Sequence, residues 1–214
     1  MYKRQLFDEA VAEGLHATIA SHAERVIGMD ISFSVIEAAK MRYPLLQAVE
    51  ADARHLPFAD AAFDVTISNS TLDHFRSKDE IALSLCEFHR VLRPGGILLL
   101  TLDNLANPLV ALRNFLPFSW LHRLGVVPYY VGATCDPDGL RDTLEGVGLK
   151  LLEVDAVMHC PRVLAVAAAR WMQKHAAPES QGRFLRFLRA FECLSRLPTR
   201  FFTGHFIAAK AMRP

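Results

Sequence analysis

The chain has 214 residues, of which 51% are hydrophobic and 22% are charged, and its formal net charge is +1. This composition excludes an intrinsically disordered chain, and the near-neutral charge gives no sign of a nucleic-acid-binding protein. No apolar run is long enough to span a membrane. The four cysteines are far apart and form no C-x-x-C pair, which is typical of reduced thiols in a cytoplasmic protein and predicts neither a disulfide framework nor a metal site.

Strand and helix patterns alternate along the first half of the chain. Apolar residues at four-residue spacing between Phe7 and Ile19 predict a helix, and short β-branched or continuously apolar runs predict buried strands. In chain order we expect a helix over 7–22, a strand over 25–30, a helix to about 42, strands over 46–51 and 63–69, a helix over 79–92 and a strand over 97–102. This alternation predicts a doubly wound α/β fold with a mostly parallel sheet.

Polar side chains follow each predicted strand. They are Asp30, Asp52, Asn69 with Ser70, and Asp103 with Asn104. Ligands of doubly wound sheets bind beyond the carboxyl ends of the strands, so these side chains are the first candidates for a binding site.

Four segments resemble, in order and spacing, the middle of a class I S-adenosylmethionine-dependent methyltransferase of the small-molecule group related to ubiquinone and menaquinone methyltransferases. The four segments are VIGMDIS (26–32), EADARHLPF (50–58), FDVTISNSTLDHF (63–75) and EFHRVLRPGG (87–96). The resemblance implies a Rossmann-like sheet with strand order 3-2-1-4-5-7-6, S-adenosylmethionine as the cofactor and a small-molecule methyl acceptor.

The resemblance also implies roles for individual residues. Asp30 would accept hydrogen bonds from the ribose hydroxyls, Ile31 would pack on the adenine, and Asp52 and Ala53 would approach the adenine amino group. The alternatives are that Asp30 caps the next helix, that Ile31 belongs to the core and that Asp52 only fixes its own loop. Two further residues, Asn69 and Ser70, would contribute backbone groups near the methionine part of the cofactor.

His74 is a weak candidate for a general base, because an acid and histidine pair is common at this place in enzymes with many different substrates. Methyl transfer from a sulfonium needs little acid–base help when the two reactants are held in line. A structural or pocket-lining role for His74 is therefore the preferred interpretation.

One expected segment has no match in the sequence. The family's first strand carries an acid and a glycine-rich turn, whereas the chain upstream of Asp30 contains only one helix pattern with Gly14. Residues 1–5 (MYKRQ) resemble the translated end of a sequencing transposon. We expect that these five residues are not native and that the gene extends upstream, in which case the 214-residue chain would be unstable and bind cofactor poorly. The alternative is a naturally shortened paralogue.

The second half carries the expected substrate determinants. Residues 105–134 are rich in proline and apolar residues and are predicted to form a lid, with Asn104, Tyr129 and Tyr130 as candidate substrate-binding residues or, alternatively, as core residues of the lid. Asp136 is expected to open a helix. Strands are predicted over 149–158 and 201–212, and the resemblance places them at an antiparallel edge of the sheet.

Residues 160–200 form a basic insertion between these two strands. They include eight arginine and lysine residues and two acidic ones, a net charge of +6 in a chain whose total is +1. Residues 183–196 place phenylalanines and leucines on one helical face and arginines on the other. We prefer a helical hairpin packed on the body of a single 1–214 domain, and contact with an anionic membrane or a lipid-like substrate is the alternative.

Two classes of function are consistent with the sequence. The first is S-adenosylmethionine-dependent methyl transfer to a small molecule. The second is a catalytically inactive or partial Rossmann-like domain that serves as an interaction module. An acid and a glycine-rich turn directly upstream of Leu6 in the gene would favour the enzyme.

Overall fold

The computed structural model describes residues 19, 21–43, 46–123, 130, 132–175 and 178–214. The chain divides into two compact units, Met1–Pro57 and Phe58–Pro214. Residues 1–5, Tyr129 and most of the helix predicted over 7–22 lie outside the described residues. The assignment of the whole chain to a single domain stays a prediction.

The described residues of the first unit form a parallel pair of strands and one helix. Strand β1 (Ile27–Asp30) pairs with β2 (Gln47–Glu50) in a register that places Asp30 opposite Glu50. Helix α1 (Phe33–Arg42) connects them and ends before Pro44, which disfavours a helical conformation in the residue that precedes it. Each end predicted for these three elements lies within two residues of the observed end.

The second unit contains a mixed four-stranded sheet in the order β3-β4-β6-β5. Strand β3 is parallel to β4, whereas β6 is antiparallel to both of its neighbours. The strands are β3 (Phe63–Asn69), β4 (Leu92–Asp103), β5 (Lys150–Val157) and β6 (Phe206–Met212). The predicted antiparallel edge is confirmed. In the predicted order 3-2-1-4-5-7-6, the pair β1-β2 matches strands 2 and 3, and the sheet β3-β4-β6-β5 matches strands 4-5-7-6.

Helices cover the second unit and position its loops. Three helices begin at residues whose side chains accept backbone N–H groups, namely Ser77, Asn107 and Asp136. The α-helices are α2 (Lys78–Val91), α3 (Pro108–Phe115), α4 (Phe118–Arg123), α5 (Pro137–Gly146), α6 (Arg162–His175), α7 (Pro178–Ala190) and α8 (Arg200–Thr203), and 3₁₀ turns lie at Leu72–His74 and Phe191–Arg196. Within the part of the chain that the structure describes, no helix is both long and apolar enough to cross a bilayer.

Alternate residues of β4 supply the centre of the core in the second unit. Leu98, Leu100 and Leu102 are almost completely buried, as are Leu85 of α2 and Ile207 of β6. This alternation points the residues between them to the opposite face of the sheet. The core therefore fixes the carboxyl end of β4, where the polar side chains predicted to form the site begin.

Two predicted boundaries are wrong. Strand β4 begins at Leu92 and not at 97, because the Arg93-Pro-Gly-Gly96 turn is held in the ladder: the Gly95 N–H donates to the Arg213 carbonyl at 2.8 Å and the Arg213 N–H donates to the Gly96 carbonyl at 3.0 Å. Gly95 has a φ of +78°, which glycine adopts readily.

The strand predicted over 201–212 begins only at Phe206, because residues 200–203 form the short helix α8. The carbonyls at its carboxyl end have no partners within the helix. The side-chain amide of Asn104 instead donates to the carbonyls of Phe201 (2.7 Å) and Gly204 (3.0 Å), and that of Asn107 donates to Thr203 (3.1 Å). These contacts stabilise a helical turn where the apolar pattern predicted a strand.

Candidate functional site

Asp30 lies at the carboxyl end of β1, as predicted. Its Oδ1 accepts a hydrogen bond from the Ser32 N–H at 2.9 Å, so the carboxylate helps to turn the chain into α1. Within the described residues, Oδ2 has no hydrogen-bond partner. Because Ser32 is itself the N-cap residue of α1, the contact is a turn before the helix and not a helix cap, and the second oxygen remains open to a ligand. Ile31 is 63% exposed, so the core-packing alternative is not realised among the described residues.

Asp52 follows β2 and is held by its own loop. Its carboxylate accepts hydrogen bonds from the backbone N–H of Arg54 at 2.9 Å and from the Arg54 guanidinium at 2.5–3.1 Å. The hydrogen bonds from the Arg54 side chain lower the pKa of Asp52 despite partial burial. Asp52 thus fixes its own loop, as the alternative interpretation expects. Ala53, which lies between Asp52 and Arg54 in the sequence, is buried.

The parallel pairing of β1 and β2 brings these two acidic loops to the same edge of their sheet. The Ala51 N–H donates to the Asp30 carbonyl at 3.1 Å, one residue before Asp52. The predicted nucleoside-binding residues Asp30, Ile31, Asp52 and Ala53 are therefore neighbours in the first unit.

Asn69 and Ser70 form a tight turn at the end of β3 in the second unit. Thr101 of β4 donates its hydroxyl to Asn69 Oδ1 at 2.7 Å and accepts the Ser70 N–H at 2.9 Å. Ser70 has a φ of +47°, a left-handed conformation that costs a non-glycine residue about 1 kcal/mol or more. Backbone strain of this kind is concentrated at functional sites, in keeping with the predicted role of this turn.

Hydrogen bonds join the 3₁₀ turn Leu72–His74 to the end of the segment 105–134 that is predicted to form a lid. The Gly132 N–H donates to the Asp73 carbonyl at 2.8 Å, and the Ala133 N–H donates to the Phe75 carbonyl at 2.7 Å. A Cβ at position 132 would lie 1.9 Å from the Phe75 carbonyl oxygen, so this close approach requires glycine. The contact places the lid directly against Asp73 and His74.

A group of charged side chains lies buried behind this turn, and we call it the charge cluster. Arg113 Nη2 donates to Asp103 Oδ2 at 2.7 Å, in an ion pair whose side chains are only 14% and 5% exposed. Arg162 Nη1 lies 3.0 Å from His205 Nε2. The same nitrogen lies 3.5 Å from Asp103 Oδ1, so the His205 ring sits between a guanidinium and a carboxylate. The charge cluster comprises Asp73, Asp103, Arg113, Arg162 and His205.

The two carboxyl groups of the charge cluster titrate in opposite directions. Burial, together with the negative charge of Asp103, raises the pKa of Asp73 to about 7. Burial also opposes ionisation of Asp103, but the adjoining His205 ring and Arg113 guanidinium lower its pKa to about 2. Burial and the positive charge of Arg162 lower the pKa of His205. In the described part of the chain, Oδ1 of both Asp73 and Asp103 is buried and accepts no hydrogen bond.

The candidate substrate residues of the lid have different surroundings. Asn104 is fully buried, and its amide group is engaged by the backbone of α8 and by the Ala106 N–H at 3.0 Å, which braces the loop. Tyr130 is 46% exposed and packs edge-to-face on Phe118 with ring centroids 5.7 Å apart. The side chain of His74 is 40% exposed. Tyr129 lies outside the described residues.

Sequence reasoning missed the charge cluster as a unit. Asp103 was predicted as a residue that follows a strand. Arg113 lies in the predicted lid, Arg162 lies in the basic insertion, and His205 directly precedes β6. No local motif links residues so far apart. One feature of the sequence could have indicated the Asp103–Arg113 pair: Arg113 lies ten residues after Asp103, which ends a strand. Among the residues that the structure describes, no group of His, Cys, Asp and Glu is arranged to hold a metal ion.

Comparison with known proteins finds similarity to methyltransferases in both sequence and fold. Residues 10–100 match the model of a methyltransferase domain. Over 144 residues the chain is 30% identical to malonyl-[acyl-carrier protein] O-methyltransferase of Hamiltonella defensa, covering 58% of this chain and 54% of that protein. Over 90 residues it is 36% identical to demethylmenaquinone methyltransferase of Chlorobaculum parvum, covering 40% and 36%. The chain thus spans about half or less of the length of these relatives.

A solved structure extends the likeness to most of the chain. The crystal structure of an S-adenosylmethionine-dependent methyltransferase from Methanosarcina mazei superposes with a TM-score of 0.60 at 17% identity, covering 92% of this chain and 86% of that one. At this identity the match shows the fold, which is the Rossmann-like α/β fold that the sequence predicted. The sequence matches and the fold agree in their similarity to class I S-adenosylmethionine-dependent methyltransferases.

Proposed function

We propose that the protein transfers a methyl group from S-adenosylmethionine to a small-molecule acceptor. The observation that carries the proposal is the position of Asp30, at the carboxyl end of a parallel strand and with one carboxylate oxygen unpartnered in the described residues. The match to a methyltransferase domain model and the similarity to two methyltransferases support it. The cofactor, when bound, supplies an electrophilic methyl group on a sulfonium, and the protein's task is to hold the two reactants in line.

The residues of the first unit fit a nucleoside. A carboxylate can accept hydrogen bonds from two vicinal hydroxyls, and Asp30 is pre-oriented for them by the Ser32 N–H at 2.9 Å. The exposed Ile31 side chain next to it offers an apolar surface for a base. We assign Asp52 and Ala53 to the adenine side, where the Arg54 contacts keep the loop in one conformation.

In the second unit we assign Asn69 and Ser70 to the methionine part of the cofactor. The turn is fixed by Thr101, so its backbone groups are held in place before a ligand arrives. His74 keeps its role as a weak general-base candidate, because no acid–base group is essential for the transfer.

We further propose that the acceptor is lipid-like and that the reaction takes place in the cytoplasm. Two similar proteins are named as methyltransferases of demethylmenaquinone and of malonyl-[acyl-carrier protein]. The four cysteines are free thiols, which is usual in a reducing compartment. Tyr130 is the described lid residue that we assign to acceptor binding.

The basic insertion is best explained as a helical hairpin packed on the second unit. Gln181 of α7 donates to the Met172 carbonyl of α6 at 3.4 Å, and Glu192 accepts the His159 N–H at 3.1 Å. Arg183, Arg186 and Arg189 are exposed. Vesicle flotation tests contact of this surface with lipid: binding to anionic but not neutral vesicles would replace the packed-hairpin interpretation.

The test of the cofactor site is the binding of S-adenosylhomocysteine, measured by ligand-observed NMR, which detects weak complexes. Asp30→Asn removes the charge that strengthens hydrogen bonds to the ribose, so we expect Kd to rise about tenfold or more. Glu37→Gln, an exposed change on α1, should leave Kd unchanged. Equal Kd values for wild type and Asp30→Asn would contradict the proposed site.

A further inference from the structure

A cavity of about 230 Å³ lies under the lid of the second unit. Its volume suits one ring-sized group rather than a whole cofactor, since sites for drug-sized ligands start at about 300 Å³. Side chains of α3, α4 and the returning end of the lid surround it. The apolar wall consists of Leu116, Phe118, Leu121 and Tyr130, and the polar wall consists of Arg113 and Asn114.

The guanidinium of Arg113 is fixed by contacts on two of its nitrogens. Nη2 donates to Asp103 at 2.7 Å, and Nε and Nη2 donate to Asn114 Oδ1 at 3.2 and 2.8 Å. Its third nitrogen, Nη1, has no hydrogen-bond partner among the described residues. The side chain is only 14% exposed and its other two nitrogens are held, so Nη1 is an oriented donor that is open to a ligand. A guanidinium N–H only donates, and its natural partner is an oxygen acceptor.

The charges around Arg113 favour an anion. Asp103 balances Arg113, and Arg162 adds a second guanidinium in the same cluster. Burial lowers the pKa of His205, which favours its neutral form, and Asp73, whose pKa is raised to about 7, carries its negative charge only in part near neutral pH. The aromatic and aliphatic wall of the cavity suits the apolar body that would carry the anionic group.

We propose that this cavity binds the carboxylate of a small apolar molecule through Nη1 of Arg113, and that the methyl acceptor belongs to the class of apolar carboxylates. The identity of the methyl acceptor rests on the proposed methyltransferase function. The binding of a carboxylate in the cavity does not depend on methyl transfer and can be tested without it.

Benzoate tests the cavity, with benzamide as its uncharged analogue, and both are titrated into the protein in the absence of S-adenosylmethionine. Hydrogen bonds to a charged partner are worth more than neutral ones, so we expect benzoate to bind about tenfold or more tightly than benzamide. Equal binding of the two probes, or no binding of benzoate to the folded protein, would overturn the carboxylate site.

Variants locate the binding in the cavity. Arg113→Lys keeps a positive charge near Asp103 but loses the guanidinium fork, so benzoate affinity should fall about tenfold. Leu116→Trp fills the cavity without touching the ion pair and should abolish binding even if the arginine variant folds poorly. Arg141→Lys on exposed α5 is the matched control and should bind benzoate like wild type. Unchanged affinity in Leu116→Trp would overturn the proposal.

The outcome is separable from that of the cofactor experiment. Benzoate binding with no S-adenosylhomocysteine binding would support the cavity and contradict the proposed enzyme. The reverse result would support the enzyme and overturn the carboxylate site.

Discussion

The acidic loops of the first unit and the charge cluster of the second unit use the same residue types in opposite ways. Asp52 takes its partner from two residues along the chain, in a pair whose side chains are 23% and 30% exposed. Asp103 takes its partner from ten residues away and lies near His205, about one hundred residues away, and it is almost fully buried. A local exposed pair mainly shapes its own loop, whereas a buried cluster built from distant segments holds several segments together. The two regions should therefore respond very differently to mutation and to pH.

The largest contrast is expected from removing one arginine in each region. Arg113→Ala leaves the buried Asp103 carboxylate without its partner and should lower the free energy of unfolding by about 3 kcal/mol or more. Arg54→Ala removes a partly exposed pair and should cost about 1 kcal/mol or less. Urea unfolding at pH 7.5 measures both. Similar losses for the two variants would remove the distinction between the regions.

A smaller effect is expected from Asp73 and depends on pH. Its pKa is raised from 3.8 to about 7, so between these values the folded protein binds more protons than the unfolded chain, and stability falls as pH rises from about 4 to 7. Asp73→Asn removes this penalty and should be more stable than wild type by about 1 kcal/mol or more at pH 8, with little difference at pH 4. Urea unfolding across this pH range measures the slope.

Two controls separate the effect of Asp73 from that of other carboxyl groups. Asp138→Asn, whose side chain is 87% exposed, should leave the slope unchanged. Asp103 has a lowered pKa and acts in the opposite sense, because its stabilisation is lost as pH falls from about 4 through 2. A wild-type slope that persists in Asp73→Asn would show that another group causes it.

The smallest effect concerns the strained turn at the end of β3. Ser70→Gly relieves a left-handed backbone conformation and should raise stability by up to about 1 kcal/mol. Ser84→Gly, inside helix α2, should lower stability by about 1 kcal/mol. Thermal unfolding of the two variants gives the sign of each change, and a loss of stability in Ser70→Gly would contradict the strain.

The same contrast explains what the sequence could predict. Asp30 and Asn69 were predicted because each lies at the end of a strand whose apolar pattern is local, and β3 was predicted at its exact bounds. Helix α8 was missed because its conformation depends on the Asn104 and Asn107 amides, about a hundred residues away. The charge cluster was missed for the same reason, because Arg113, Arg162 and His205 meet only in the folded chain.

The central claim is that the first unit holds the nucleoside of S-adenosylmethionine and that the charge cluster does not. Its most direct test is the Kd of S-adenosylhomocysteine for wild type, Asp30→Asn and Asp73→Asn, measured side by side. We predict a Kd about tenfold or more higher for Asp30→Asn and within twofold of wild type for Asp73→Asn. An unchanged Kd for Asp30→Asn, or a comparable loss in both variants, would contradict the account.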